Sequence, residues 1–225
     1  MKINTGIKIK LAFLAAVILT FNSCISLSMN IQMNKNGSGK LTMEYSISSM
    51  LNNIGSLDGN KNFPAIPVGR ADWERTLARI NGVKLSSFSV NEKGSDTVYK
   101  VIIDYDNPQA LLMILDPGKN GSSIEIKNDS GSFNYVINMN NSFADFSEYD
   151  ESLLVLARIM FADSKFSISF SAQSDSSMTI TSNGGKSFSP PASAQIIQKG
   201  KNVSLSMDIM DFIEITEDFT VNFKW

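Results

Sequence analysis

The amino-acid sequence predicts an α+β fold in which antiparallel β-hairpins build the sheet and about three amphipathic or buried helices pack beside it. Apolar and polar residues alternate with a period of two in many short stretches, a pattern typical of half-buried strands. These stretches come mostly as pairs separated by short turns, whereas parallel sheets need single strands separated by helices. The chain has 225 residues, enough to bury a sizeable core.

The N-terminal segment has the composition of a secretory signal. Three lysines and no acidic residue precede an apolar run over residues 11–21, which is followed by Asn22 and Ser23. A basic region, an apolar core and a small residue before the cleavage point define such signals. The apolar run is well short of the roughly 20 residues that span a bilayer as a helix. We therefore expect residues 1–23 to be removed and residues 24–225 to form a single mature domain.

The single cysteine of the chain lies at the end of this signal. The motif Phe21-Asn22-Ser23-Cys24 resembles the lipobox of bacterial lipoproteins in a relaxed, spirochaete-like form. Ser23 and Cys24 match the lipobox, and Phe21 and Asn22 depart from its strict pattern. The resemblance implies that a diacylglycerol is attached to the Cys24 thiol, that the signal is cleaved between Ser23 and Cys24, and that the new amino group receives a further acyl chain such as palmitate. The alternative is an ordinary signal followed by a cysteine that packs as a small apolar residue.

An acylated cysteine would hold the mature protein on a membrane. Two or more acyl chains anchor stably where one is marginal, since each buried CH₂ contributes about 0.8 kcal/mol. Ile25 follows Cys24, at the position where enterobacteria-like lipoproteins that stay at the inner membrane carry Asp. We therefore expect a bacterial cell-envelope location, at the outer membrane or alternatively on the periplasmic face of the inner membrane.

A β-hairpin directly follows the cysteine. Residues 25–33 and 41–47 alternate in polarity around NKNGSGK, a sequence rich in turn formers. This hairpin around Asn36-Gly37, together with a closing strand that ends at Trp225, is similar to LppM-like bacterial lipoprotein domains. The resemblance covers the first fifty residues and implies a lipid-anchored domain without catalytic residues.

The remaining elements follow from periodicity and from boundary residues. Trp73, Leu77 and Ile80 share one face of an amphipathic helix that ends before Gly82. A short apolar helix over 109–115 begins after Pro108, with Asp106 or Asn107 as its cap. Further helices are predicted over 46–54 and 150–161, and strands over 83–90, 97–105, 123–128, 132–139, 165–172, 177–182, 194–198, 202–209 and 219–225.

The composition removes several classes of function. The chain contains no histidine and its only thiol is assigned to lipid, which excludes His-dependent catalysis and cysteine or histidine metal sites. The chain has 20 basic and 22 acidic residues, and loss of the three signal lysines leaves 17 basic residues and a net charge of −5. A net acidic chain lacks the excess of basic residues that is typical of nucleic-acid-binding proteins. We expect no cofactor, no resident metal and no tight binding of transition metals.

The sequence GSGK at 37–40 mimics a phosphate-binding loop. That loop requires G-x-x-x-x-G-K-[ST] between a strand and a helix. Here Asn34 stands at the first position, Leu41 follows Lys40, and a strand is predicted after the turn. We therefore expect no nucleotide binding at this turn.

Three groups of carboxylates are candidate sites. Asp104 and Asp106 share one face at a strand end, which suits either a cation or acid/base pair or a strand end followed by a helix cap. A second group precedes a predicted helix, whose dipole favours acids. A third group alternates with Met, Phe and Ile and lacks the glycine turn and the spacing of a calcium loop. These two groups are Asp145, Glu148, Asp150 and Glu151, and Asp208, Asp211, Glu214, Glu217 and Asp218. We interpret all three groups as structural and assign no catalytic residue.

The apolar helices over 109–115 and 153–161 carry more apolar surface than one buried face requires. They either fill the core or line a groove for a lipid or an apolar peptide. The sequence favours a non-enzymatic, lipid-anchored envelope lipoprotein whose partners are the membrane, through Cys24, and envelope or host proteins. The alternatives are a periplasmic carrier of a lipid or hydrophobic ligand and a carboxylate-dependent hydrolase, which needs two opposed carboxylates.

Overall fold

The structure is a computed structural model, and it describes residues 25–48, 69–94, 96–116, 122–129, 132–139, 158, 161–172, 175–182, 190–213, 215 and 219–224. Within these ranges the fold is α+β and dominated by sheet. The strands are β1 (Ile25–Met33), β2 (Gly39–Ser48), β3 (Val83–Lys93), β4 (Asp96–Tyr105), β5 (Ser123–Asp129), β6 (Ser132–Met139), β7 (Lys165–Ser171), β8 (Ser177–Ser182), β9 (Gln195–Lys199), β10 (Asn202–Asp208) and β11 (Phe219–Lys224). The helices are α1 (Arg70–Leu77), α2 (Pro108–Leu115) and α3 (Ile209–Ile213).

The first hairpin is confirmed. β1 pairs antiparallel with β2 along the whole length of β1, starting at Ile25 opposite Ile47. Gly37, at φ 83°, supplies the left-handed residue of the turn. The Asn36 side-chain oxygen accepts a hydrogen bond from the Ser38 N–H at 3.1 Å, the local bond that makes asparagine a turn former. β2 also pairs with β4, and β4 with β3, so the first two predicted hairpins join in one antiparallel unit.

Helix α1 docks on this unit through Trp73 and Leu77, which are buried as predicted. The Trp73 indole N–H donates to the Tyr45 hydroxyl at 3.1 Å, and the Tyr45 ring stacks on Tyr99 with centroids 5.0 Å apart. Burial raises the pKa of Tyr45 above its ordinary value of 10.0, so the phenol stays neutral. The helix ends at Leu77, earlier than predicted, and Gly82, at φ 78°, lies in the turn that leads to β3.

Helix α2 begins as predicted, and the structure selects its cap. The Asn107 side-chain oxygen accepts from the Ala110 N–H at 2.9 Å. Pro108 takes the first helical position, where its missing N–H costs no hydrogen bond. The Asp106 N–H donates instead to the Gly82 carbonyl at 2.8 Å. Asn107 is therefore the cap of α2, and Asp106 is the residue before it.

The described strands form two sheets. The larger sheet has the order β3-β4-β2-β1-β7-β10-β9, and the smaller has the order β5-β6-β11-β8. Every pairing between described strands is antiparallel except that of β1 with β7, which is parallel. The prediction of antiparallel sheet holds within the hairpins and is wrong at this junction. A tight turn fixes the relative direction of two strands, whereas no turn joins β1 to β7.

The core lies between the two sheets. Phe170 of β7 stacks on Phe223 of β11 with ring centroids 4.7 Å apart, and both side chains are fully buried. Phe166 of the same strand stacks on Phe212 of α3 with centroids 4.0 Å apart. The predicted closing strand is confirmed as β11, and it lies between β6 and β8 rather than at an edge. Trp225 lies outside the described residues.

The structure departs from the sequence predictions at the start of the helix over 46–54 and at the end of the strand over 202–209. The helix over 46–54 is wrong for its first residues, because β2 continues to Ser48 and pairs there with Asp96, and the rest lies outside the described residues. Helix α3 begins directly after β10, where the sequence predicts only a strand. The predicted helix over 150–161 lies outside the described residues, apart from Arg158 and Phe161.

Candidate functional site

The predicted cleavage and lipidation residues, Ser23 and Cys24, lie outside the described residues. The structure describes the chain from the next residue onward, since Ile25 begins β1 and pairs with Ile47 of β2. Successive Cα atoms are about 3.8 Å apart. A lipid on Cys24 would therefore be attached one peptide unit from a paired strand, without an intervening linker.

The larger sheet has two ends, which we name from β1. The anchor end holds the start of β1, the turn between β3 and β4, and the start of β7. The far end holds the turn between β1 and β2, the start of α2, and the turn between β9 and β10. β1 has nine residues, which at about 3.3 Å per residue separate the two ends by roughly 30 Å.

A polar cavity of about 350 Å³ lies at the far end. It brings together two motifs that are distant in the sequence, the GSGK turn and the pair Asp104 and Asp106. Its other walls include the side chains of Gln32 and Asn34. The residues that line the cavity carry an ammonium group, two carboxylates, two amides and two hydroxyls, which include both hydrogen-bond donors and acceptors for a small polar molecule or a polar chain segment.

An ion pair dominates the electrostatics of this cavity. Lys40 Nζ lies 2.8 Å from Asp104 Oδ1, and the Ser86 hydroxyl donates to the same carboxylate. The bond from Lys40, followed by that from Ser86, holds the pKa of Asp104 below its ordinary value of 3.8. Asp104 is therefore an ionised acceptor at neutral pH. A general acid would instead need a raised pKa.

The glycine that precedes Lys40 has a packing role. The Tyr105 hydroxyl, almost fully buried, donates to the Gln32 carbonyl at 2.9 Å. A Cβ atom on Gly39 would lie 2.0 Å from that carbonyl oxygen and 2.4 Å from the Tyr105 hydroxyl. Because real Cβ atoms do not approach so closely, Gly39 is required by the close approach of Tyr105. Strand β2, and not a helix, follows the turn, as the sequence predicts.

A second polar cavity, of about 310 Å³, lies on the polar face of the same sheet at the anchor end. Ser26 and Ser46 line it from the first hairpin, and their hydroxyl oxygens are 2.7 Å apart. Lys93 and Asp96 line it from the turn between β3 and β4. Ser26 is two residues from Cys24, so this cavity adjoins the predicted attachment point of the lipid.

Asp208 and Asp211 are the other acidic candidates in the part of the chain that the structure describes. Asp208 forms an ion pair with Lys165, and Asp211 accepts a hydrogen bond from the Ser193 hydroxyl. Within the described ranges, no three or more His, Cys, Asp or Glu side chains are grouped so that they could hold a metal ion. Seven candidates lie outside those ranges, namely Asp145, Glu148, Asp150, Glu151, Glu214, Glu217 and Asp218.

Helix α2 is the apolar helix whose packing is described. Ala110 and Leu111 are buried, and residues 112–115 are half-buried. The helix contacts β4 and β5, so much of its apolar surface is used in packing. Both cavities described above have polar walls, and neither is an apolar groove. Among the described helices, none is both long and apolar enough to cross a membrane.

The sequence reasoning found Asp104 and Asp106 but missed the side chains that complete the cavity. Gln32, Asn34 and Tyr105 read as ordinary strand or turn residues in the sequence. They meet because β1, β2 and β4 are neighbours in the sheet, with Gly39 opposite both Met33 and Tyr105. The cavity could be predicted from the two hairpins only if their pairing with each other, through β2 and β4, were also known.

Comparison with known proteins gives a distant structural likeness and no match in sequence. No family model and no curated protein matches the chain. The chain is similar to the folded domain of the LppM protein of Mycobacterium tuberculosis, solved by NMR, with a TM-score of 0.44 and 8% identity over 90% of this chain and 89% of that one. The resemblance to LppM-like domains is thus met as a distant likeness of overall arrangement. At this identity and score it transfers no site, ligand or mechanism.

Proposed function

We propose that this protein is a lipid-anchored lipoprotein of the bacterial cell envelope that acts as a non-enzymatic binding or structural module. The acyl chains on Cys24 hold it at the outer membrane or on the periplasmic face of the inner membrane. The observation that carries the proposal is the position of the only cysteine, at the end of a signal-like segment and one residue before β1. The mature domain comprises residues 24–225.

The alternation of β1 supports lipidation over a structural role for the thiol. Met29 and Ile31 face the core, whereas Ser28 and Asn30 lie on the opposite face. Side chains alternate between the two faces along a strand, so the even-numbered residues of β1 lie on the polar face. A cysteine that served as a small core residue would be expected at an odd-numbered position within β1, whereas Cys24 precedes the strand in the sequence.

The geometry of the far-end cavity supports binding rather than catalysis. Its best-placed carboxylate, Asp104, is ion-paired with Lys40 and has a lowered pKa. Hydrolysis by two carboxylates needs one that is protonated near neutral pH and a second opposite it. Both cavities are lined mostly by polar residues, so neither of the two offers a lipid carrier an apolar chamber. A partner that is itself a polar surface of an envelope or host protein fits these walls better.

The proposal is tested by metabolic labelling of the full-length protein with a clickable palmitate. We expect the wild type to be labelled and cleaved, and Cys24→Ala to remain an unlabelled, uncleaved precursor. The physical reason is that the thiol is the acceptor of the first lipid and that cleavage follows its modification in lipoproteins of this kind.

A relocated thiol gives the matched control. In the double variant Cys24→Ala, Asn36→Cys the chain keeps one cysteine, now at the exposed turn of the first hairpin. We expect no label on this variant, because the thiol is no longer adjacent to the signal. Equal labelling of wild type and Cys24→Ala would refute the proposal, and labelling of the relocated thiol would attribute the signal to non-specific acylation.

A further inference from the structure

Among the strands that the structure describes, the two edge strands of the larger sheet differ in how they are protected from pairing with a further strand. β3 forms one edge and has a bulge at Ser86, which interrupts its register with β4. It also carries the exposed charged residues Lys84, Glu92 and Lys93. Bulges and edge charges are devices that prevent a sheet from pairing with another strand. β3 is therefore a blocked edge.

Strand β9 forms the other edge and lacks these devices along most of its length. Its register with β10 is unbroken, its sequence is QIIQK, and its one charge is at the last position. All five residues are exposed, and Ile196 and Ile197 keep 47% and 46% of their accessible surface. An edge strand directs alternate backbone N–H and C=O groups away from its neighbour, where they can pair with an added strand.

Ile196 and Ile197 lie on opposite faces of the sheet. Ile196 ends a row of apolar side chains that crosses the core face through Met29, Ile168 and Leu205. Ile197 lies on the polar face beside Ser204. An added strand with apolar residues on both faces would cover both isoleucines and continue the row. Main-chain bonds would then supply affinity, and the two apolar contacts would supply specificity.

We infer that β9 is a docking edge for an extended segment of another polypeptide, which joins the sheet as an additional strand. The segment has apolar side chains beside Ile196 and Ile197. It carries an acidic residue near the end of β9, because Lys199 and Lys201 are exposed there. The choice of another polypeptide over a second copy rests on the proposed function, through the position of the anchor.

The anchor geometry argues against a second copy as the occupant. β9 runs in the same direction as β1, away from the anchor end. Two copies paired antiparallel through β9 would hold their anchor ends at opposite ends of the joined sheet, so with the strands perpendicular to one membrane only one copy could be anchored in it. A parallel pair about a two-fold axis along the strands would turn one sheet over. Paired residues would then point to opposite faces, which a regular ladder does not allow.

Site-specific photo-cross-linking in intact cells tests the inference in the full-length protein. The photo-reactive residue p-benzoylphenylalanine is placed at Gln198 on β9 or, as a matched control, at the exposed Asn91 on β3. We expect a cross-link to a different polypeptide from position 198 and none from position 91. Mass spectrometry of the cross-linked peptide should locate an extended segment with alternating apolar residues.

Two proline variants separate strand addition from simple proximity. Of two adjacent residues in an edge strand, one directs its N–H to the neighbouring strand and the other directs it outward. We therefore combine the photo-reactive residue at Gln198 with Ile196→Pro or Ile197→Pro. One variant should keep the wild-type melting temperature and lose the cross-link at least tenfold, while the other should lower the melting temperature.

Several results would overturn the inference. These are no cross-link from position 198, an equal cross-link from position 91, a product made of two copies of this chain, or a cross-link that survives in the proline variant that keeps its fold. Palmitate labelling of the same protein band separates this test from that of the proposed function. A labelled protein without the cross-link refutes only the docking edge, and an unlabelled protein with the cross-link refutes only the anchor.

Discussion

The two faces of the larger sheet are built from alternate residues of the same strands, and they differ in burial and in hydrogen bonding. On the inner face Ile31 and Phe170 are fully buried. On the outer face the neighbouring residues Asn30 and Ser169 are half-buried, and the Asn30 amide donates to the Ser169 hydroxyl at 2.9 Å. The Ser169 hydroxyl in turn donates to the Met29 carbonyl at 3.2 Å.

The comparison shows that the inner face stabilises the fold and that the outer face forms a polar surface. Core side chains each contribute about 1.5–3 kcal/mol when buried. Neutral hydrogen bonds between half-buried groups contribute only about 0.5–1.5 kcal/mol each. The outer face carries small hydroxyl and amide side chains over β1, β7 and β10, so it is polar with little net charge. Substitutions should therefore separate the two faces by size of effect.

The largest effect is expected from removing the strand that covers the inner face. Deletion of residues 219–225 removes β11, whose Phe219, Val221 and Phe223 are buried between the sheets. Three such side chains represent a large part of a typical total stability of about 5–15 kcal/mol. We expect cooperative thermal unfolding, followed by circular dichroism, to disappear. A truncated protein that melts like the intact one would show that the second sheet is dispensable for the core.

A smaller but sharper test compares two adjacent residues on opposite faces. Phe170→Ala should destabilise the protein by about 3–5 kcal/mol, because it removes a fully buried ring that stacks on Phe223. Ser169→Ala should cost about 1 kcal/mol, because it removes hydrogen bonds at a half-buried position. Urea denaturation measures both changes. Equal losses in the two variants would contradict the division of roles between the faces.

The smallest effect is expected at the far-end cavity. The folded-state pKa of Asp104 is lowered, so its ionised form contributes stability above the ordinary value of 3.8, and that contribution is lost as pH falls through the lowered pKa. Both partners of the ion pair are more than a third exposed, which limits the contribution to about 0–1 kcal/mol. We expect Asp104→Asn to be slightly less stable than wild type at pH 7, and the difference to shrink as the pH falls below 3.8. A difference that grows toward acid would reverse the predicted sign.

Local chemistry made much of this fold predictable. The first hairpin is specified by alternation and by Asn36-Gly37 between its strands, and α2 is specified by Asn107 and Pro108 at its start. The helix predicted from residue 46 fails because pairing with β4 decides the end of β2. That pairing is a contact between segments about fifty residues apart, and local helix and strand propensities do not reflect such contacts.

The candidate sites divide in the same way. The proposed lipid attachment point depends on a contiguous motif that can be recognised in the sequence alone, and it stays a prediction because Ser23 and Cys24 lie outside the described residues. The far-end cavity depends on Lys40 meeting Asp104 across two paired strands, and neither residue carries a local signal for the other. The docking edge depends on strand order, which follows from the parallel pairing of β1 with β7 and was not predicted.

That parallel pairing imposes an order in time on the folding of the chain. During synthesis the unit of β1, β2, β3 and β4 is complete once residue 105 is available, yet β1 must wait for β7 to fill its second side. Asn30 and Ser169, which bond across the junction, are 139 positions apart. Until the later strand arrives, Leu27, Met29 and Ile31 border an unfinished edge that can capture other chains. The closing of this junction should set the folding rate, since contacts so distant in sequence form slowly.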